Sequence, residues 1–217
     1  MKKIGVLLSG CGVKDGSEIH EAVLTLLAID RAGAQAVFLA PNSELEVVNH
    51  LTGEPTGEKR NVLLESARIA RGNIKDIAQV KAADLDALIL PGGYGAAKNL
   101  CDFAYKGPDA KPHGEVARLV KEVHSARKPI GAICIAPATI AAILGRDAHP
   151  SLTVGNDKGT AEALQKMGAQ HKECPVREFH VDEKNKIVST PAYMLAQRVS
   201  EAAEGIEKLV KKVLELS

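Results

Sequence analysis

The sequence predicts an α/β protein, a doubly wound and mostly parallel sheet covered by helices on both faces. Three observations lead there. Short apolar runs alternate with helical stretches along the whole chain. The runs, such as Val6-Leu7-Leu8 and Ala87-Leu88-Ile89-Leu90, are not broken by polar residues, as strands buried on both faces require. Gly33, Gly72, Gly145 and Gly168 stand where helices should stop before the next element. Alternation of this kind builds parallel pairs through right-handed crossovers.

The first strand is placed at residues 4–8, after Met1-Lys2-Lys3. This start imitates a secretory signal, but Ser9-Gly10-Cys11-Gly12 ends the apolar run before such a core can form. The segment therefore reads as a buried strand, and the protein as cytosolic. A helix over 18–32 leads to a strand at 36–39, and residues 44–58 read as an insertion after it. A helix over 61–71 precedes the third strand, 87–90. The stretch 106–112, with Gly107-Pro108 and Lys111-Pro112, is an exposed loop. A helix over 114–127, a strand at 130–133, a helix over 137–144, a strand at 152–154 and a helix over 160–167 follow. Residues 176–181 pair as a hairpin with a strand at 187–189, and a last helix runs from about 192 to 215. With no Ser/Gly linker or low-complexity tract, residues 1–217 read as one domain.

Composition excludes several classes of function. Lys+Arg number 28 and Asp+Glu 27, a net charge of +1, and aromatics make up 3% with no Trp. No bulk field attracts nucleic acid, and few rings could stack on bases. No apolar run approaches the roughly 18 residues of a membrane span. The four cysteines, at 11, 101, 134 and 174, form no CxxC and no Cys/His pair at zinc spacing, so no metal is expected.

Ligands in such folds bind outside the carboxyl ends of the strands, near the point where strand order reverses. Three strand ends carry unusual residues. In Ala132-Ile133-Cys134-Ile135-Ala136-Pro137, a buried strand runs into a cysteine flanked by small residues at both two-residue offsets, and a helix starts at once. That is a nucleophile elbow with Cys in place of Ser, and its helix N-terminus favours thiolate. A structural cysteine at a strand end is the competing reading. In Pro91-Gly92-Gly93-Tyr94-Gly95, glycines let backbone N–H groups approach a ligand, as an oxyanion hole requires. A tight turn competes with that. A phosphate cradle is discounted, because neither GK[ST] nor GxGxxG is present.

After the first strand, Asp15 and Glu18 have the spacing of a capping box. Glu21 precedes a nearly all-apolar helix, where a carboxylate must meet a partner, water or a proton of its own. Cys11, on a glycine loop at the same sheet edge, and His50, in the insertion, are candidate cleft residues beside Glu18. Cys101 reads as core, and Cys174 has no activating neighbour. On the first helix, Ile19, Val23, Leu26 and Leu27 form a stripe for the sheet. Leu24, Ala28 and the Glu21 side then need a second cover, which a two-fold-related copy would supply.

Glu21, the Pro-Gly-Gly turn and Cys134, in that order, resemble the PfpI branch of the class I glutamine amidotransferase-like superfamily. Residues 8–27, 50–54, 91–100, 134–138 and 190–197 are similar, within it, to the ElbB group, described as isoprenoid-biosynthesis glyoxalases or enhancing lycopene biosynthesis proteins. The resemblance covers essentially the whole chain. It implies a flavodoxin-like three-layer sandwich, with Cys134 as nucleophile, Glu21 as the first-helix acid, and Gly92 and Gly93 facing the cysteine. It also implies a cofactor-free conversion of glyoxal or methylglyoxal to glycolate or lactate through a Cys134 hemithioacetal. N–H groups near Gly93 and at Ile135 would hold the oxyanion. The chain departs from the superfamily at Ile135, where peptidase members carry His. It departs again at Thr153–Asp157, where deglycase-like members carry one, and His149 is out of register. A Cys-His-acid triad is therefore not expected, nor is peptidase or glutaminase activity. His180 reads as a hairpin flank, and His20, His113, His124 and His171 as solvent-facing. The incomplete relay keeps a second class open, a redox or electrophile sensor acting through Cys134.

Overall fold

The structure is a computed structural model describing residues 1–217. In chain order the elements are β1 (Lys3–Leu7), α1 (Ile19–Arg31), β2 (Gln35–Ala40), β3 (Glu44–Val48), β4 (Pro55–Asn61), α2 (Val62–Ile69) and β5 (Lys75–Asp76). Next come β6 (Ala87–Leu90), α3 (Tyr94–Lys98), α4 (Phe103–Lys106), α5 (Gly114–Ser125), β7 (Ile130–Ile133) and α6 (Ala136–Ala148). The chain closes with β8 (Ser151–Leu152), α7 (Lys158–Lys166), β9 (Gln170–His171), β10 (His180–Asp182), β11 (Ile187–Thr190) and α8 (Val199–Leu216).

Seven strands form the central sheet, in the order β10-β11-β7-β6-β1-β2-β5. Every pair is parallel except the β10–β11 hairpin at one edge. The predicted α/β class and mostly parallel sheet are therefore what the chain forms. From β1 the chain builds outward to β2 and β5; from β6 it builds the other way, to β7 and β11. Strand order thus reverses between β1 and β6, so the crevice lies at their carboxyl ends, with β7 next along.

Alternate residues of each strand feed two cores. Leu7, Leu88, Leu90 and Ile130 pack with Leu119 and Ile140 on one side. Ile4, Val6, Ile89 and Ile133 pack with Ile29, Ile206 and Leu209 on the other. Each such side chain contributes roughly 1.5–3 kcal/mol by leaving water.

Several expected boundaries move, for identifiable reasons. Gly33, Gly72 and Gly168 have positive φ and end their helices as expected. Gly145 does not, and α6 continues through it to Ala148, ending on His149 in the left-handed region. Its role is packing, since a Cβ there would lie 2.3 Å from the carbonyl oxygen of Met167. The insertion is an antiparallel hairpin, β3–β4, reaching Asn61. The strand expected at 152–154 is the two-residue β8, paired with β9 outside the main sheet. The strand expected at 176–181 shortens to β10. The last helix is interrupted: Ala192–Met194 form a 3-10 turn, with Ala192 at φ 43°, and α8 begins only at Val199.

The faces of α1 are the reverse of those expected. Ala22, Thr25, Ala28 and Ile29 are buried, whereas Ile19, Val23 and Leu27 are 43%, 49% and 39% exposed. Small residues let α1 sit close to β2 and α8; Ile29, Leu24 and Leu26 still pack inward, and Ile19, Val23 and Leu27 are left outside.

Candidate functional site

Strand β7 is fully buried and delivers Cys134 to the crevice. Cys134 has φ 61°, a left-handed conformation that a side chain with a Cβ adopts only at a cost of about 1–2 kcal/mol. Such strain persists where the surroundings hold it, and it gathers at functional sites. Here the Cys134 N–H donates to the Thr190 carbonyl at 3.0 Å. Helix α6 begins two residues later, with Pro137 in its first turn, where a missing N–H matters least. Ala132 and Ala136, on either side of the turn, are fully buried.

Glu21 arrives from the first turn of α1 and is completely buried. Its Oε2 accepts the Gly92 N–H at 2.9 Å and its Oε1 the Tyr193 N–H at 3.2 Å. The carboxyl lies beside the Cys134 thiol, both of them against Gly92. Burial pushes its pKa up to about 8; the Glu18 charge adds to that, while the Tyr193 and Gly92 N–H groups and the thiol oppose it. Burial likewise raises the Cys134 thiol well above its ordinary range, and Glu21 raises it further. The N–H groups of Gly93 and Ile135 point at the sulfur and pull the other way without prevailing. The expected thiolate, favoured by a helix N-terminus, is thus corrected. Cys134 is only 8% exposed, and desolvation with a neighbouring carboxyl outweighs the helix.

The glycines of the β6 turn are set by proximity. A Cβ on Gly92 would lie 2.5 Å from the Cys134 Cβ and 2.6 Å from Glu21 Oε2. Gly93 has φ 91°, and a Cβ there would stand 2.4 Å from the Glu18 nitrogen. Only glycine lets this turn touch both the nucleophile and the acid.

Glu18 does not answer Asp15 in a capping box. It is itself the N-cap of α1, its Oε2 accepting the Glu21 N–H at 2.7 Å. Asp15 is used elsewhere, accepting the Val48 N–H at 2.9 Å.

A cavity of about 360 Å³ opens over Cys134. Glu18, Gly93 and Ile135 line it, together with residues the sequence reading did not single out: Val13, Tyr94, Ala97, Phe103, Ala104, Asp157, Thr160, Tyr193 and Met194. The Thr160 N–H donates to Asp157 Oδ1 at 2.8 Å, and Thr160 holds the Asp157 carboxyl below its usual range. The Tyr193 hydroxyl is 2.8 Å from His20 Nδ1, which lies 4.0 Å from Glu18 Oε1. His20 is exposed, as expected, yet it touches the rim of the site through Tyr193. One signal for this lay in the motif 190–197, which contains Tyr193.

Cys11 and His50 do not join this cavity. They line a separate one of about 240 Å³, between the glycine loop and the β3–β4 hairpin, with Arg60, Glu65 and Arg68. The hairpin carries His50 away from Cys134; its Nε2 accepts the Lys14 N–H at 3.2 Å. Burial raises the Cys11 thiol, against a smaller opposing effect of Arg68. Cys101 is core, beside Thr139, and burial pushes the Cys174 thiol up to about 11. His180 pairs with the Ser151 hydroxyl at 2.7 Å on β10. No group of three His, Cys, Asp or Glu side chains is arranged to hold a metal ion, and no helix is long and apolar enough to cross a membrane.

The sequence profile of the DJ-1/PfpI family matches residues 11–176. The chain is 48% identical to the human glutamine amidotransferase-like class 1 domain-containing protein 3, mitochondrial, over 99% of this chain and 83% of that protein. It is also 48% identical to the rat ES1 protein homolog, mitochondrial, over 99% and 84%. A crystal structure of an isoprenoid biosynthesis protein with amidotransferase-like domain from Ehrlichia chaffeensis superposes with a TM-score of 0.93. It is 39% identical and covers 100% of this chain and 99% of that one. The chain belongs to the DJ-1/PfpI family. The cytosolic expectation is overturned by these relatives, which carry mitochondrial names.

Proposed function

We propose, from membership of that family and from the geometry around Cys134, that this chain is a cofactor-independent thiol enzyme of the ElbB group. In this reading it converts a 1,2-dicarbonyl such as glyoxal or methylglyoxal to the corresponding 2-hydroxy acid. One observation carries the proposal. A buried carboxyl that burial pushes up to about 8 and a buried thiol meet at Gly92, where a Cβ would stand 2.6 Å from Glu21 Oε2 and 2.5 Å from the Cys134 Cβ, with the Gly93 and Ile135 N–H groups beside the sulfur. Such a carboxyl exists in both protonation states near neutral pH, as an acid–base catalyst must.

The steps follow from those atoms. The sulfur of Cys134 attacks the aldehyde carbon, and the thiol proton passes to the carbonyl oxygen, giving a hemithioacetal. The Gly93 and Ile135 N–H groups stabilise negative charge on that oxygen. Glu21 then removes the proton from the hemithioacetal carbon and returns one to the neighbouring carbon. The first carbon is thereby oxidised to a thioester and the second reduced to a carbinol. Water hydrolyses the thioester, releasing the hydroxy acid and restoring the thiol; overall the dicarbonyl gains one water. Glu21 is sealed from solvent, so protons need a route out. We assign that role to the Tyr193 hydroxyl, whose residue lines the same cavity, and to exposed His20, 2.8 Å from it, in place of the histidine absent at position 135.

The similarity to a protein named for isoprenoid biosynthesis supports the ElbB assignment. A raised, buried thiol argues against the sensor reading, because sensors use accessible thiolates. The test is steady-state turnover with glyoxal in large excess over enzyme. The enzyme reading expects many turnovers per thiol, abolished by Cys134→Ser. A single stoichiometric reaction per thiol overturns it.

A further inference from the structure

The Cys134 cavity has more room, and a more apolar lining, than glyoxal alone would use. Its volume, about 360 Å³, lies in the range of roughly 300–1,000 Å³ that accommodates ligands of drug size, whereas glyoxal has two carbons. Much of its lining is apolar: Val13, Ala97, Phe103, Ala104 and Met194. No Lys, Arg or His lines it, and its only charged side chains are Glu18 and Asp157. Two carboxylates without a cation repel an anionic ligand, and the water-excluding wall strengthens that repulsion.

Resting on the thiol–carbonyl reading above, we infer that the substrate is an uncharged aldehyde or 1,2-dicarbonyl bearing an apolar chain or ring. The reacting carbonyl sits at Cys134 and the tail lies along Phe103 and Met194. Phosphorylated sugars and carboxylate-bearing carbonyls are excluded by the same lining. Burial of a methylene is worth about 0.8 kcal/mol, so each added methylene raises kcat/KM about four-fold until the cavity is full.

Two measurements test this separately from the catalytic reading. The first is kcat/KM for glyoxal, methylglyoxal, longer n-alkylglyoxals and phenylglyoxal. The second is the labelling rate of Cys134 at pH 8.5, read by mass spectrometry, with N-alkylmaleimides of increasing length and with a carboxylate-bearing maleimide of matched size. Labelling needs no turnover. The expected result is a rate rising with alkyl length and at least ten-fold slower labelling by the anionic probe. Asp157→Asn keeps an N-cap for α7 while removing a charge, and it should narrow that gap several-fold. If labelling follows this pattern but no glyoxal is turned over, the glyoxalase reading fails and the cavity assignment stands. Labelling that is flat or falling with length, faster with the anion, or absent at Cys134 overturns the inference.

Discussion

Replacing Glu21 by Gln isolates the buried carboxyl on which the site is built. Folding raises its pKa from an ordinary 4.5 to about 8, so the folded chain holds this proton more tightly than the unfolded one. The stabilisation is therefore fully present below pH 4.5 and is lost as pH rises through 8. At about 1.4 kcal/mol per pH unit, flattening near each end, wild type should lose roughly 3–4 kcal/mol between pH 5 and pH 8 from this group. Glutamine does not ionise and cannot lose it. Its amide NH2 must instead face either the Gly92 or the Tyr193 N–H, donor against donor, at a pH-independent cost of about 1–3 kcal/mol. Glu21→Gln should thus be the less stable protein at pH 5 and the more stable one at pH 8. Urea denaturation of both proteins at pH 5, 6, 7 and 8 gives the difference, in which all other titrations cancel. Parallel curves would mean that Glu21 is ionised in the folded protein at neutral pH, and the acid–base role would fall with that result. In glyoxal turnover the same variant should lose roughly 10²-fold or more.

Gly92→Ala places a methyl 2.5 Å from the Cys134 Cβ and should destabilise by roughly 3 kcal/mol, read from the thermal midpoint; an unchanged midpoint would refute the contact. Glu18→Gln weakens the α1 cap by about 1 kcal/mol. It also removes a charge that raises Glu21, so the Glu21-dependent limb of the pH–rate profile should move to lower pH; an unmoved limb counts against the coupling. Tyr193→Phe leaves the backbone bond to Glu21 and cuts the contact with His20. It should lower kcat more than it raises KM, with small buffer acids restoring part of the loss; buffer-independent kinetics would exclude the proton route. Finally, we propose that the exposed Ile19, Val23 and Leu27 row is where two copies meet. Val23→Lys should shift a dimer to monomer in sedimentation at micromolar concentration, and a monomeric wild type would remove the basis for that face.

Most of the fold could be read because its signals are local and repeated. Strands such as Ala87–Leu90 and Ile130–Ile133 are continuous apolar runs, and burial on both faces leaves no other arrangement for them. Misreadings arose where tertiary contacts overrode a local sign. Gly145 has the composition of a stop, but α7 packs so closely that glycine is needed inside a continuing helix. Residues 192–198 have helical composition, yet the Tyr193 N–H is claimed by Glu21, whose chain position is 172 residues away. The α1 stripe failed because apolar size alone does not say which face packs. Closeness to β2 and α8 selected Ala22, Thr25 and Ala28 over the larger Val23 and Leu27.

The site divides along the same line. Cys134, Glu21, Gly92 and Gly93 were legible because each has a requirement that its own neighbours express, namely small flanks, an apolar helix behind a carboxylate, and glycines after a buried strand. The chemical state of the cysteine was not legible. A helix N-terminus is visible in sequence, but a carboxyl brought from 113 residues earlier and near-complete burial are not, and those two effects decide the direction. The consequence is mechanistic. In the proposed reaction, a thiol held protonated beside a carboxyl that burial pushes up to about 8 is quiet at rest and would be activated when a carbonyl enters and offers its oxygen to the Gly93 and Ile135 N–H groups. Negative charge then leaves the crowded Cys134–Glu21 pair for a place where donors already point.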